Sequence, residues 1–174
     1  MNVQNSSFST KVIAEIVVFV ALATVLSNIK IFQLPQGGSV TAASMVPILW
    51  LGLRRGPKVG LFGAIGYGIV QLAFDPYIVH PVQLLLEYPI AFGLLGVAGF
   101  FQNRPYIGVT LGITGRFICH FFAGIIFFSI WAPEGMNPAV YSAVYNGGYL
   151  IVELVISLYF IYMLKRSKIL QIYM

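Results

Sequence analysis

Four ionisable residues lie deep inside apolar runs of this chain: Glu87, Arg116, His120 and Glu153. A charge inside hydrocarbon is costly and by default marks a functional site or a buried pair. Counted at about 1.5 Å per residue from the basic ends of their helices, Glu87 lies about 21 Å along the run Val82–Phe101 and His120 about 20 Å along Ile107–Trp131. Those two share a level. Arg116, about 14 Å along its run, and Glu153, about 16 Å along Pro138–Leu164, share a deeper one. Two separate pairs are expected. Arg116 with Glu153 reads as a structural ion pair tying two helices, because burying either charge alone is severe; a proton or ion path is the other reading. His120 alone would be a satisfied core histidine, but Arg116, His120 and Gly124 follow i, i+4 spacing. They share one helix face, which turns His120 inward and favours a ligand role.

Glu87 is followed by Tyr88 and preceded across a turn by Tyr77 and His80. At the same end of the molecule the sixth run opens with Tyr141, Tyr145 and Asn146, and the fifth closes with Phe127, Phe128 and Trp131. An aromatic belt at the membrane interface explains rings at helix ends without any ligand. It does not explain a buried glutamate. A carboxylate among Tyr, Phe and Trp rings, with Asn and His as hydrogen-bonding groups, suits a flat, nitrogenous, cationic ligand: rings supply stacking and cation–π attraction, and Glu87 supplies directional acceptors.

Enzyme signatures are missing. The sequence has no G-x-x-x-x-G-K-[ST] phosphate loop, no G-x-S-x-G elbow and no H-E-x-x-H zinc helix. Cys119 and His120 are adjacent, so on a helix they point about 100° apart and form no nucleophile–base pair. With a single cysteine there is neither a disulfide framework nor a CxxC metal site, so no metal and no cofactor is expected. The net charge of +5 is spread around apolar blocks rather than gathered in a basic stripe, which argues against a nucleic-acid partner.

The elements that must position these residues follow from composition. The chain is 59% hydrophobic and 9% charged, against roughly 45–50% and 25% for a soluble domain, so its solvent is the lipid bilayer. Six apolar runs predict an all-α, polytopic membrane protein forming a single transmembrane domain: Lys11–Ile29, Val40–Leu53, Pro57–Phe74, Val82–Phe101, Ile107–Trp131 and Pro138–Leu164. The second is short and holds Pro47, so it is expected to be kinked or supported by protein neighbours. Lys11, Arg54, Arg55, Lys58, Arg104, Lys165, Arg166 and Lys168 fall on one set of alternate flanks and only Lys30 on the other. By the positive-inside rule both termini are cytoplasmic. Met1 to Thr10, polar and without a signal-peptide basic region, reads as a cytoplasmic tail. The outer segment KIFQLPQGGS, Lys30–Ser39, is rich in turn formers and suited to move over a cavity.

Five blocks then carry a resemblance: GGSVTAASMVPI (Gly37–Ile48), LRRGPKVG (Leu53–Gly60), DPYIVHPVQLLLEYPIAFGLLG (Asp75–Gly96), RFICHFFAGIIFF (Arg116–Phe128) and APEGMNPAVYSAVYNGGY (Ala132–Tyr149). In order and spacing they resemble the thiamine-specific substrate-binding (S) components of energy-coupling factor transporters. The resemblance implies six helices in the prokaryotic cell membrane, no ATPase of its own, and an outward-facing site for vitamin B1. By it, Glu87 holds the aminopyrimidine, Tyr141 and Asn146 hydrogen-bond around it, His120 flanks the ring, and Tyr77 and Tyr88 serve the remainder. The stacking aromatic aligns with Phe128, with Trp131 nearby as the alternative, and the lid aromatic with Phe32. Implied partners are a membrane-embedded coupling subunit, contacted through small residues of the first helix, and two ATPases. Two pairs have the required spacing, Val17 with Ala21 and Ala23 with Ser27. The function expected is therefore thiamine capture by a binding subunit, not an enzyme. The alternatives are an S component for another vitamin or a thiamine precursor, and a stand-alone proton-coupled carrier acting through the four buried ionisable residues.

Overall fold

The computed structural model describes residues 8–167, so the start of the expected cytoplasmic tail and the flanking Lys168 lie outside the described residues. Six helical runs make up most of the rest: α1 (Thr10–Ser27), α2 (Val46–Arg55), α3 (Pro57–Phe74), α4 (Pro81–Phe101), α5 (Pro105–Phe127) and α6 (Pro138–Arg166). All but α2 are long and apolar enough to cross a membrane. Between α1 and α2 the chain makes one small antiparallel hairpin, β1 (Lys30–Gln33) against β2 (Ser39–Thr41), pairing Phe32 with Val40 and Gln33 with Ser39.

Proline sets where most of these helices begin. Pro47, Pro57, Pro81, Pro105 and Pro138 each stand in the first turn of their helix, where the missing N–H has no intrahelical partner to lose. This corrects the expectation for the second helix. Pro47 opens α2 rather than kinking it, and α2 starts at Val46 instead of Val40 because residues 39–41 pair with β1. Ala43, with φ of 62°, then breaks the extended run before the helix. At ten residues α2 is about 15 Å long, half of the ~30 Å hydrocarbon core. It survives there because every residue from Val46 to Leu53 is buried against other helices, which leaves its short ladder out of lipid. The fifth helix also stops earlier than expected, at Phe127, and Ser129–Trp131 forms a separate 3₁₀ turn.

Helix α4 is not uniform. Its middle, Leu86–Ile90, is a π-helical turn containing Pro89, which cannot donate to the carbonyl one turn before it. The widened turn carries Glu87. It can sit close to α3 only because Gly68 faces it: a Cβ at Gly68 would come within 2.6 Å of the Tyr88 carbonyl oxygen.

The outward faces are apolar. Val17, Val25, Phe62, Ile118, Val144 and Val155 are each about half exposed or more, as a lipid-facing surface requires. At the basic end, Glu15 of α1 pairs with Arg54 at 2.8 Å and Arg55 at 2.5 Å, clamping α1 to the end of α2. No sequence pattern singles out Glu15, because its partners are distant in sequence and on a different helix.

Candidate functional site

A cavity of about 410 Å³ lies between the hairpin and the halves of α3 to α6 nearer to it. Glu87 lines it. Its Oε1 lies 3.1 Å from His120 Nδ1, and its Oε2 accepts from Gln83 Nε2. Arg116 Nε, one turn along α5, approaches His120 Nε2 at 3.2 Å. Arginine only donates, so Nε2 must accept; the ring proton is then on Nδ1 and is given to Glu87. A neutral histidine thus links the guanidinium to the carboxylate. Arg116 is also held by its guanidinium lying 3.9 Å over the Phe92 ring. Glu87 accepts one bond on each oxygen from the protein and keeps acceptor capacity for a ligand's N–H edge.

Helix α6 forms the opposite wall with Tyr141, Ser142, Tyr145, Asn146 and Tyr149. Asn146 is buried and well partnered: its Nδ2 donates to the carbonyls of His120 and Ser142 at 3.2 and 3.0 Å, and its Oδ1 accepts from the Tyr149 hydroxyl at 3.2 Å. It fastens the His120 turn of α5 to α6. The two helices meet this closely at Gly124, where any Cβ would collide with the Ser142 side chain. The Ser142 hydroxyl uses that opening to donate to the Phe121 carbonyl at 2.8 Å.

The remaining walls come from loops. Tyr77 packs its ring 5.8 Å from that of Phe128, and both line the cavity. Tyr88 accepts from the Tyr77 amide at 2.7 Å and donates to the Asp75 carbonyl at 2.9 Å, so its hydroxyl is occupied in shaping that loop. The hairpin covers the cavity with residues 33–39 and is tied down along its length. Lys30 pairs with Asp75 at 2.6 Å. The Tyr145 hydroxyl accepts from the Gly38 amide at 3.0 Å and donates to the Pro35 carbonyl. Thr41 gives Glu153 Oε1 both its amide (2.6 Å) and its hydroxyl (2.8 Å).

The model of a family described as Thiamine transporter protein (Thia_YuaJ) matches residues 13–172. The chain belongs to this thiamine transporter family. It is 32% identical over 161 residues to the thiamine transporter ThiT of Bacillus subtilis, covering 82% of this chain and 83% of that one. To the thiamine transporter ThiT of Lacticaseibacillus paracasei it is 31% identical over 161 residues, covering 79% and 78%. The solved structure of ThiT from Listeria monocytogenes shares the fold, with a TM-score of 0.82, 24% identity, and coverage of 90% of this chain and 94% of that one. Membership of a transporter family, with membrane-crossing helices, makes this a multi-pass cell-membrane protein.

In this thiamine transporter family member, Glu87, His120, Tyr141, Asn146, Tyr77, Tyr88 and Phe128 all line the one cavity. Trp131 does not: it is 49% exposed beyond the end of α5. Phe32 likewise faces a separate groove against α6 rather than the cavity. The expected Arg116–Glu153 ion pair is not formed, since Arg116 turns to His120 and Phe92 while Glu153 binds Thr41. Depth along a helix equates two residues without saying which way they face. On α1, Ala23 is fully buried and Ser27 donates to the Gln71 side chain at 3.1 Å, so that pair faces inward; Val17 and Ala21 are the exposed pair. Gln83, Gln71 and Tyr149 went unread in the sequence. Tyr149 was findable, because Tyr141, Tyr145 and Tyr149 recur at i, i+4 on one face of α6.

Proposed function

We propose that this chain captures thiamine from the outer side of the membrane and delivers it as the binding subunit of a complex with a membrane-embedded coupling subunit and two ATPases, without catalysing a reaction itself. The observation that carries this reading is Glu87, oriented by Gln83 and His120 in a cavity walled by Tyr77, Phe128 and Tyr141. A carboxylate with free acceptor directions suits the donor edge of an aminopyrimidine, and the rings suit its faces and the cationic thiazolium. Phe128 serves as the stacking ring in place of Trp131. Asn146 holds His120 in place and presents the remaining lone pair of its Oδ1. The names of the relatives support thiamine as the substrate.

The cavity side faces outward and both termini inward in this reading, with the chain acting as one six-helix domain. The distribution of Lys and Arg supports that orientation. The partner surface is the small-residue stripe of α1 at Ala21, whose neighbours are exposed and apolar.

Native mass spectrometry of the purified protein, followed by titration with thiamine, tests the ligand. Thiamine in the spectrum and saturable binding are expected; a different retained molecule would reassign the substrate. Uptake in a host with and without energy-coupling ATPases tests the rest. Binding without accumulation is expected where the ATPases are missing, and uptake in their absence would make the chain a solitary carrier.

A further inference from the structure

Gln83 lies one turn before Glu87 on α4, is fully buried, and is not part of the cavity wall. Its side-chain amide is used completely. Oε1 accepts from the Val79 amide at 3.1 Å, while Nε2 donates to the Tyr77 carbonyl at 2.9 Å and to Glu87 Oε2. The opposite orientation would set Oε1 against two acceptors and Nε2 against an N–H donor, so only one flip satisfies the site. Burying an amide contributes nothing that an apolar side chain of the same size would not do better by packing, unless its hydrogen bonds are needed. Here they link the Glu87 carboxylate itself to the 75–80 loop, which carries the Tyr77 ring against Phe128 and which Tyr88, on the same π-helical turn, also ties through the Tyr77 amide and the Asp75 carbonyl.

We propose that Gln83 is a positioning residue of the binding site, fixing the plane of the Glu87 carboxylate and the register of the Tyr77 loop through one amide while never touching the ligand. With His120 on Oε1 and Gln83 on Oε2, the carboxylate cannot rotate, and its remaining lone pairs stay aimed at the cavity. This rests on the thiamine-binding reading given above.

The test is calorimetric titration of thiamine into the parent, Gln83→Met, Gln83→Asn, Glu87→Gln, and the Gln83→Met, Glu87→Gln double variant. Methionine keeps the unbranched stem and loses the amide; asparagine keeps an amide one methylene too short to reach all three partners. Each is expected to bind roughly ten- to hundredfold more weakly, the effect of a lost hydrogen bond to a charged group. A positioning role also requires coupling: added to Glu87→Gln, the Gln83→Met change should cost several-fold less than in the parent, whereas a merely structural glutamine gives additive losses. Unchanged affinity in both single variants, or full additivity in the double, overturns the proposal. If Gln83→Met does not fold, Gln83→Asn against Glu87→Gln decides by the same cycle. A parent protein that fails to bind thiamine overturns the functional reading as well, and the two failures are thereby separate.

Discussion

Glu87 and Glu153, two of the glutamates on membrane-crossing helices, do different work. Glu87 is 13% exposed in its side chain, faces a cavity, and has protein partners on both oxygens with acceptor capacity to spare. Glu153 is 1% exposed and faces polypeptide, where its Oε1 takes both donors of Thr41 and anchors the end of β2 to α6. One lines the cavity proposed to take thiamine; the other staples the hairpin beside it. A buried carboxylate in a membrane helix is therefore not by itself a site. What it faces decides, and an unequal response to mutation is the way to see it.

The largest effect is expected at Glu87. Glu87→Gln should weaken thiamine binding by about 1.5–3 kcal/mol, the scale of a charge-assisted hydrogen bond, while leaving thermal stability near that of the parent. Titration calorimetry with a melting curve measures both, and an unaltered dissociation constant would make Glu87 as structural as Glu153. Glu153→Leu should do the reverse. It strands the amide of buried Thr41 and leaves the Thr41 hydroxyl only its Ser44 partner, costing about 1–3 kcal/mol of stability, and affinity should fall less than stability. If its affinity fell as far as that of Glu87→Gln with no change in melting, the contrast between the two carboxylates would collapse.

A smaller effect is expected between them, at the hairpin's middle. Tyr145→Phe removes the hydroxyl that bonds Gly38 and Pro35 but keeps the ring in the wall. A neutral hydrogen bond of about 0.5–1.5 kcal/mol corresponds to a rise of up to roughly tenfold in the rate of thiamine release. Stopped-flow fluorescence should find that rise in the dissociation rate. A change confined to the association rate would mean that Tyr145 guides entry rather than holding the cover down.

How much of this was legible beforehand differs by element. The apolar runs announce the crossing helices, since lipid demands about 20 apolar residues wherever a helix spans it. The prolines mark starts at α3 and α6, and Glu87 and His120 declare themselves as polar residues that hydrocarbon would not otherwise tolerate. The hairpin did not show. KIFQLPQGGS reads as turn-rich loop, and its strands exist because Tyr145, Glu153 and Asp75, all far off in sequence, hold them. The start of α2 and the stop of α5 were misplaced for a related reason: an apolar run does not say where pairing or a 3₁₀ turn interrupts it.

Periodicity and composition, being local, were enough to establish a helical membrane protein with a carboxylate and histidine at one level near a group of aromatic rings. The facing of side chains was not local. Arg116 and Glu153 share a depth but turn to different partners, and Ala23 and Ala21, two residues apart, fall on opposite sides of α1. The amide that ties Gln83 to both Glu87 and the Tyr77 loop likewise depends on a π-helical turn that lies close against Gly68 of α3. Spacing along a chain sets which residues can share a helix face, while the rotation of that face toward cavity, core or lipid is settled by all the helices packing together.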